Sequence, residues 1–280
     1  MNKRKLFYNL SPQLRFYVRR LYYFPTDLLN TMLKKRHPLE PPKGMIYIGS
    51  GDFIAQGKKH LKYLIDWATL EPQHAVLDVG SGLGRSAVAL TNYLNEHGKY
   101  DGFDVVKTGV DWCTKKISAK FANFKFKYVD LKNDLYKSSG DDATSFVFPY
   151  KSNEYDVVFL MSVFTHMDIN EIDHYLGEIK RVLKPGGKCL ATFFYFDQPT
   201  LEKMKNRSTD ILFESDKGHY WLMDEEVKSA NICIELEYLK NMIHKNGLEL
   251  EQNIDGYWRD FSNQIGNDYQ DICVMKKKDS

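Results

Sequence analysis

The run Val76-Leu77-Asp78-Val79-Gly80-Ser81-Gly82-Leu83-Gly84 constrains this chain more than any other stretch. It reads as a buried strand that ends in an acid and turns through three closely spaced glycines. Residues 86–94 then carry the apolar spacing of a helix. A strand, glycine turn and helix bring backbone N–H groups and a positive helix end to one spot, where a ligand touches main chain with no Cβ in the way. The spacing selects among ligands. A dinucleotide loop wants G-x-G-x-x-G or a closing Ala, but the third position counted from Gly80 and Gly82 falls on Arg85. The pattern present is D-x-G-x-G-x-G, with Asp78 at the mouth of the turn.

Around this turn, strand and helix patterns alternate, which implies a parallel sheet with helices on both faces. Strands are expected at 75–79, 99–104, 124–129, 155–161 and 187–194, and helices near 58–69, 84–97, 109–121 and 169–183. Gly49-Ser50-Gly51 lacks a strong strand before it and reads as a simple turn. A polar stretch at 198–223 interrupts the alternation and is expected to form a cap or lid. An apolar-periodic segment at 234–244 follows, then strands at 248–254 and 271–276 as a terminal antiparallel hairpin. The organisation is a basic, aromatic, helical extension with a Pro-rich connector at 1–44, then one catalytic domain at 45–280 with an insert at about 198–230.

With 43% hydrophobic and 14% aromatic residues, the chain holds enough apolar side chains for a substantial core, which excludes wholesale disorder. No apolar run is long enough to span a bilayer, and the N-terminus lacks the unbroken apolar region of a signal peptide, so a cytoplasmic location is expected. Cys113, Cys189, Cys233 and Cys273 are scattered without metal-ligand or disulfide spacing and read as small buried residues; no metal is expected. The total charge of +2 hides an asymmetry. Residues 1–37 hold nine Lys/Arg against Asp27 alone, a net of +8. Phe7, Tyr8, Phe16, Tyr17, Tyr22, Tyr23 and Phe24 are interleaved among them. Such an arm is expected to pack on the core with a solvated basic face. The alternative is attachment to an anionic membrane surface at its inner face, or to an acidic partner. Nucleic acid is not an expected partner.

The D-x-G-x-G-x-G turn resembles motif I of the class I S-adenosylmethionine-dependent methyltransferases, and further motifs follow in that family's order. Tyr100-Asp101-Gly102-Phe103-Asp104 ends the second strand with an acid able to accept ribose hydroxyl hydrogen bonds. Lys127-Tyr128-Val129-Asp130-Leu131 ends the third, where family members commonly contact adenine with an acid. Phe148-Pro149-Tyr150 with 155–162 matches the fourth strand, and Arg181-Val182-Leu183-Lys184-Pro185-Gly186-Gly187 the turn into the fifth. Asp111-Trp112-Cys113, Ser162-Val163-Phe164-Thr165-His166 and Tyr269-Gln270-Asp271-Ile272 resemble a bacterial subgroup of accessory enzymes of polysaccharide or natural-product modification. The resemblance implies an α/β, Rossmann-like doubly wound sheet of about seven strands. It also implies S-adenosyl-L-methionine as cofactor and S-adenosyl-L-homocysteine as product. The cofactor set it implies is Asp78, Gly80, Ser81, Gly82, Gly84, Arg85, Asp104, Val105, Asp130, Leu131 and Met161.

A sulfonium methyl donor is already activated, so such a site has mainly to align nucleophile, carbon and sulfur and to exclude water. Methylating a hydroxyl is helped by a general base. His166, after the fourth strand where strand ends face the ligand crevice, is the first candidate. His219 in the insert is the second, and Tyr195 is expected on the substrate side. His37, His60, His74, His97, His174 and His244 read as surface or packing residues. The expected reaction is methyl transfer to a polar small molecule or glycan, most directly on oxygen. The alternatives are an RNA or protein methyltransferase, or a non-catalytic S-adenosylmethionine-binding scaffold. Leu160-Met161-Ser162-Val163 stands where amino-group base methyltransferases carry N/D-P-P-Y, which argues against base methylation.

Overall fold

A computed structural model describes residues 12–47, 49, 51–132, 140–225, 230–259 and 268–278. Its strands are β1 (Ala75–Val79), β2 (Lys99–Asp104), β3 (Phe124–Tyr128), β4 (Tyr155–Leu160), β5 (Leu183–Phe193), β6 (Tyr195–Phe196), β7 (Ser215–Asp216), β8 (Tyr220–Leu222), β9 (Ile232–Glu235), β10 (Leu248–Ile254) and β11 (Asp271–Lys277). The helices are α1 (Pro12–Met32), α2 (Phe53–Asp66), α3 (Arg85–Leu90), α4 (Lys107–Cys113), α5 (Ile169–Val182), α6 (Gln198–Lys205) and α7 (Leu236–Lys245).

Seven strands form one sheet in the order β10-β11-β5-β4-β1-β2-β3. β11 runs antiparallel to both β5 and β10, and the other pairs are parallel. The expected doubly wound sheet with a terminal antiparallel pair is therefore present, although residues 255–270 separate β10 from β11. Central strands are buried on both faces, as parallel strands under helices must be. Along β1, Leu77 and Val79 enter one apolar cluster and Val76 enters the other, so Asp78 shares the face of Val76. β1 lies between β2 and β4, where the strand order changes direction, and the crevice of an open α/β sheet opens at such a point.

Local sequence explains where elements start and stop. Asp52 caps α2, accepting from Ala55 N at 2.7 Å, so this helix begins earlier than its apolar pattern implied. A capping box at Asp168 and Glu171 starts α5. The helix expected at 84–97 ends at Leu90, and the one expected at 109–121 becomes α4 plus a wide turn at Thr114–Ser118. The segment expected as a helix from 234 opens as strand β9, and α7 begins at Leu236. The insert is not a simple lid. It holds α6, and its strands β7 and β8 join β6 and β9 in a second sheet, ordered β6-β9-β8-β7, over a cluster of Phe194, Phe196, Phe213, Cys233 and Trp258. All four cysteines are free and buried.

α2 packs directly on α3. A Cβ on Gly57 would overlap the Arg85 carbonyl oxygen, which is backbone and has no room to yield. Gly57→Ala is therefore expected to destabilise the fold by about 1–3 kcal/mol through overpacking, read as a lower Tm.

The extension departs from expectation. Asp27 tethers α1, its carboxylate accepting from Lys43 N at 2.7 Å and Gly44 N at 2.9 Å. Phe16, Arg19, Tyr23, Asp27 and Asn30 are half-buried on that side. The opposite side, with Leu14, Tyr17, Val18, Leu21, Phe24, Leu28 and Met32, is exposed. The apolar face thus points away from the core, not into it. The basic residues Lys3, Arg4 and Lys5 lie outside the described residues.

Candidate active site

A cavity of about 670 Å³ opens at the carboxyl ends of β1, β2 and β4. The glycine turn forms its floor. Gly80, Gly82 and Gly84 have φ of 81°, 54° and 77°, the left-handed region that glycine enters without a Cβ penalty. A Cβ on Gly80 would stand 2.5 Å from Val163 Cγ2. The turn's own donors are already committed. Gly80 N and Ser81 N both bond to Phe103 O, at 2.9 and 3.0 Å, Gly84 N bonds to Ser81 O, and Gly82 N reaches Asp104 Oδ2 at 2.7 Å. The turn therefore offers close approach to main chain more than a nest of free N–H groups. Ser81 Oγ is buried on the cavity wall with no hydrogen-bond partner among the described residues.

Two buried carboxylates face this floor. Asp78 accepts from the Tyr100 hydroxyl at 2.5 Å, and burial raises its pKa to about 7, with Asp104 adding to the rise and Tyr100 opposing it. Asp104 accepts from Gly82 N and Val106 N, each at 2.7 Å; burial raises its pKa to about 6 against those bonds. A third backbone bond, from Val105, leaves about one of the carboxylate's four lone-pair sites for a ligand hydroxyl.

Of the residues expected to hold the cofactor, Asp78, Gly80, Ser81, Gly82, Arg85, Asp104, Val105, Leu131 and Met161 line the cavity. Two do not. Gly84 sits behind the turn, where a Cβ would meet Ile117 Cδ1 at 2.7 Å and Cys113 Sγ at 2.9 Å, so its role is packing. Asp130 is exposed, with its backbone carbonyl accepting from Asp141 N at 2.9 Å, and Leu131 and Lys132 reach the cavity instead.

His166 lines the cavity, at the end of a short turn (Phe164–His166) that the stack of Phe164 on Phe193 fixes to β5. Its Nδ1 lies 2.9 Å from the Ala230 carbonyl oxygen. A carbonyl only accepts, so Nδ1 carries a proton and donates this bond. Ser162, which opens this loop, is held at φ 59°, with its N bonded to Thr192 Oγ1 at 2.7 Å and its Oγ to Gln270 Oε1 at 2.8 Å. His219 is not among the cavity residues. It is 66% exposed on the second sheet, bonded to Glu235 at 2.6 Å and stacked on Tyr238, because the insert folds away from the crevice. Tyr195 is also off the wall; its hydroxyl is held by Asp255 and Asn253 at 2.8 and 3.1 Å.

The structure adds residues that sequence reasoning passed over. Gly49 of the second glycine cluster lines the cavity with Tyr47, Gln56, Lys59 and His60, as do Asp210, Tyr257, Asp268, Tyr269 and Gln270. Burial lowers the His60 pKa to about 4, with the Arg85 and Lys59 charges adding to it and Asp268 opposing, so this imidazole is neutral; its Nδ1 is 2.8 Å from Ser86 Oγ. Asp268 draws Lys59 Nζ to 3.2 Å and the Tyr63 hydroxyl to 3.1 Å. Behind this wall Asp271 is fully buried. It accepts from Tyr195 N, Gly256 N, Trp258 Nε1 and Arg259 Nε at 2.7–3.0 Å, and so ties Gly256, Trp258 and Arg259 to β6. Among the described residues, no cluster of three His, Cys, Asp or Glu side chains is placed to hold a metal ion.

Known proteins share this arrangement. A demethylmenaquinone methyltransferase of Bacillus cereus is 28% identical over 198 residues, spanning 65% of this chain and 73% of its own. A solved structure from Pyrococcus horikoshii superposes with a TM-score of 0.57 at 15% identity, covering 88% of this chain and 99% of the other. The cyclase SpnF does so at 0.54 and 20% identity, covering 94% and 96%. These two share the fold. The family described as a methyltransferase domain matches residues 70–247, well over half of the chain, from just before β1 to the end of α7. By that match the chain belongs to the methyltransferase domain family and is a class I S-adenosylmethionine-dependent methyltransferase.

Proposed function

We propose that the chain methylates an oxygen of a hydroxylated small molecule or glycan, with His166 as general base and the cofactor on the glycine-turn side of the cavity. The observation that carries this is one cavity that gathers both sets of groups. Asp78, Ser81, Asp104, Val105 and Leu131 line it beside the glycine turn. Gln56, Lys59, His60, Tyr257, Asp268, Tyr269 and Gln270 line it as well, and so does His166. Bound S-adenosylmethionine supplies a methyl carbon activated by its sulfonium.

The protein's part is positional and electrostatic. The orphaned Ser81 Oγ and the spare lone pair of Asp104 fit the polar edge of an adenosine, and Asp78 as carboxylate fits a cationic amino-acid end. Val105, Leu131 and Met161 supply apolar surface and help keep water out. His166 Nε2 takes the acceptor's proton as the oxygen attacks, and the Ala230 carbonyl holds the ring in the tautomer that can do so. His166→Ala is expected to lower kcat by about a hundredfold or more while leaving S-adenosylhomocysteine affinity within about threefold. Calorimetry and turnover with methyl-labelled cofactor check both halves; normal turnover in this variant removes His166 as the base.

The relative named for demethylmenaquinone supports a second acceptor chemistry, a quinone-type ring. Tyr175, Tyr257 and Tyr269 on the cavity wall offer aromatic faces for it. Labelled product from a quinol but from no sugar or other hydroxylated acceptor decides for this reading.

A further inference from the structure

One side of α1 carries a row of apolar residues exposed among the described residues. Leu14, Tyr17, Val18, Leu21, Phe24, Leu28 and Met32 recur at intervals of three and four, so they share one helix face. Leu21, Phe24 and Met32 are 76%, 62% and 72% exposed. A stripe this long and this exposed is unlike the scattered single apolar residues that any soluble surface carries.

Charge says what covers it. Arg15, Arg19 and Arg20 lie between the stripe's residues in sequence and Lys34, Lys35 and Arg36 follow it, while the one acid among them, Asp27, is bound to Lys43 N and Gly44 N and lies 3.8 Å from Arg36. Lys34 and Lys35 are exposed. A second copy of the chain would set two such cationic segments side by side without counter-charge, which opposes self-association. An apolar stripe with aromatic residues and cationic flanks suits the interface of an anionic bilayer, where apolar side chains enter the acyl boundary and the cations meet lipid headgroups. We infer that α1 docks the enzyme on an anionic lipid surface, lying in its plane. No described helix is long and apolar enough to cross a membrane. The docked helix is joined to the site: Asp27 holds it to the 43–45 turn, and Tyr47 and Gly49 just beyond line the cavity.

The test is co-sedimentation of the full chain with vesicles of phosphatidylcholine alone or mixed with phosphatidylglycerol. The protein is expected to pellet with the mixed vesicles, weakly with phosphatidylcholine, and less as salt rises. Leu21→Glu/Phe24→Glu is expected to lose at least about tenfold in binding, and Lys34→Gln/Lys35→Gln about fivefold per charge. Unchanged S-adenosylhomocysteine binding in both variants shows that the catalytic domain is folded, and makes this result independent of the acceptor. Equal binding to both vesicle types overturns the inference, as does binding that survives the glutamates. A dimer seen by light scattering that the glutamates dissociate also overturns it, since the face then belongs to a second copy.

Discussion

Asp78→Asn is expected to stabilise the cofactor-free protein at about pH 8 and, in the same molecule, to weaken S-adenosylmethionine binding about a hundredfold. The two effects have one origin. Burial raises the Asp78 pKa from 3.8 to about 7, so the free protein prefers this group protonated. The stability it contributes is fully present below about pH 4, where the unfolded chain also holds the proton. It is lost as pH rises through about 7, where the folded protein must bury a carboxylate. Asparagine does not ionise and can still accept from Tyr100, so the variant escapes that loss. The gain is expected to be absent below about pH 4, to grow between about 4 and 7, and to reach about 2–4 kcal/mol above it. Binding reverses the preference, because a cation beside Asp78 favours the carboxylate. Wild-type affinity is therefore expected to fall by up to about tenfold per pH unit below about 7. Thermal unfolding and calorimetry across this range check both limbs. A variant that is no more stable at high pH contradicts the burial argument, and one that binds as wild type removes Asp78 from the cofactor wall.

Asp271→Ala is expected to be the most destabilising single change, at about 3–5 kcal/mol. Its carboxylate is inaccessible, and alanine leaves Tyr195 N, Gly256 N, Trp258 Nε1 and Arg259 Nε without the acceptor they share. Arg259 stays buried over the Tyr195 ring at 4.3 Å, with Asp255 and Asp197 as its remaining acids at 3.3 and 3.9 Å. For a chain of this size the loss corresponds to a Tm lower by about 10 °C. Function should divide accordingly. Tyr269 and Gln270, which line the cavity, directly precede Asp271, whereas the glycine turn leaves β1 on the far side of β5 and β4. At a temperature where the variant is folded, S-adenosylhomocysteine affinity should stay within about threefold while KM for the acceptor rises by more. A small Tm change would mean that the four donors find other acceptors.

What the sequence revealed was what neighbours in the chain decide. The β1 strand, its glycine turn and the acid closing β2 are local patterns, and Asp78, Gly80, Gly82 and Asp104 stand on the cavity as their spacing implied. The remaining cavity residues were not legible because no local pattern encodes them. His60 looks like any helix histidine until α2 packs on α3 and brings its Nδ1 to Ser86. Asp268, Tyr269 and Gln270 reach the cavity only because β11 inserts between β10 and β5. His219 misled for the complementary reason: its segment is polar and loop-like, yet β7 and β8 pair into a second sheet and take it outward. The extension's aromatic and apolar periodicity was visible, but which way that face pointed depended on Asp27 reaching the 43–45 turn. The commitment of Gly80 N, Ser81 N and Gly82 N was equally hidden, since their acceptors come from β2.

The most direct test of a catalyst, as opposed to a protein that only holds the cofactor, is transfer of label. Wild-type protein and His166→Ala, each shown by calorimetry to bind S-adenosylhomocysteine, are incubated with methyl-labelled S-adenosylmethionine and panels of hydroxylated small molecules, glycans and quinols. Product is then identified by mass spectrometry. Labelled acceptor from the wild type, with yield from His166→Ala reduced by about a hundredfold or more, is the expected result. Cofactor bound by both proteins, with label transferred by neither or equally by both, would contradict it.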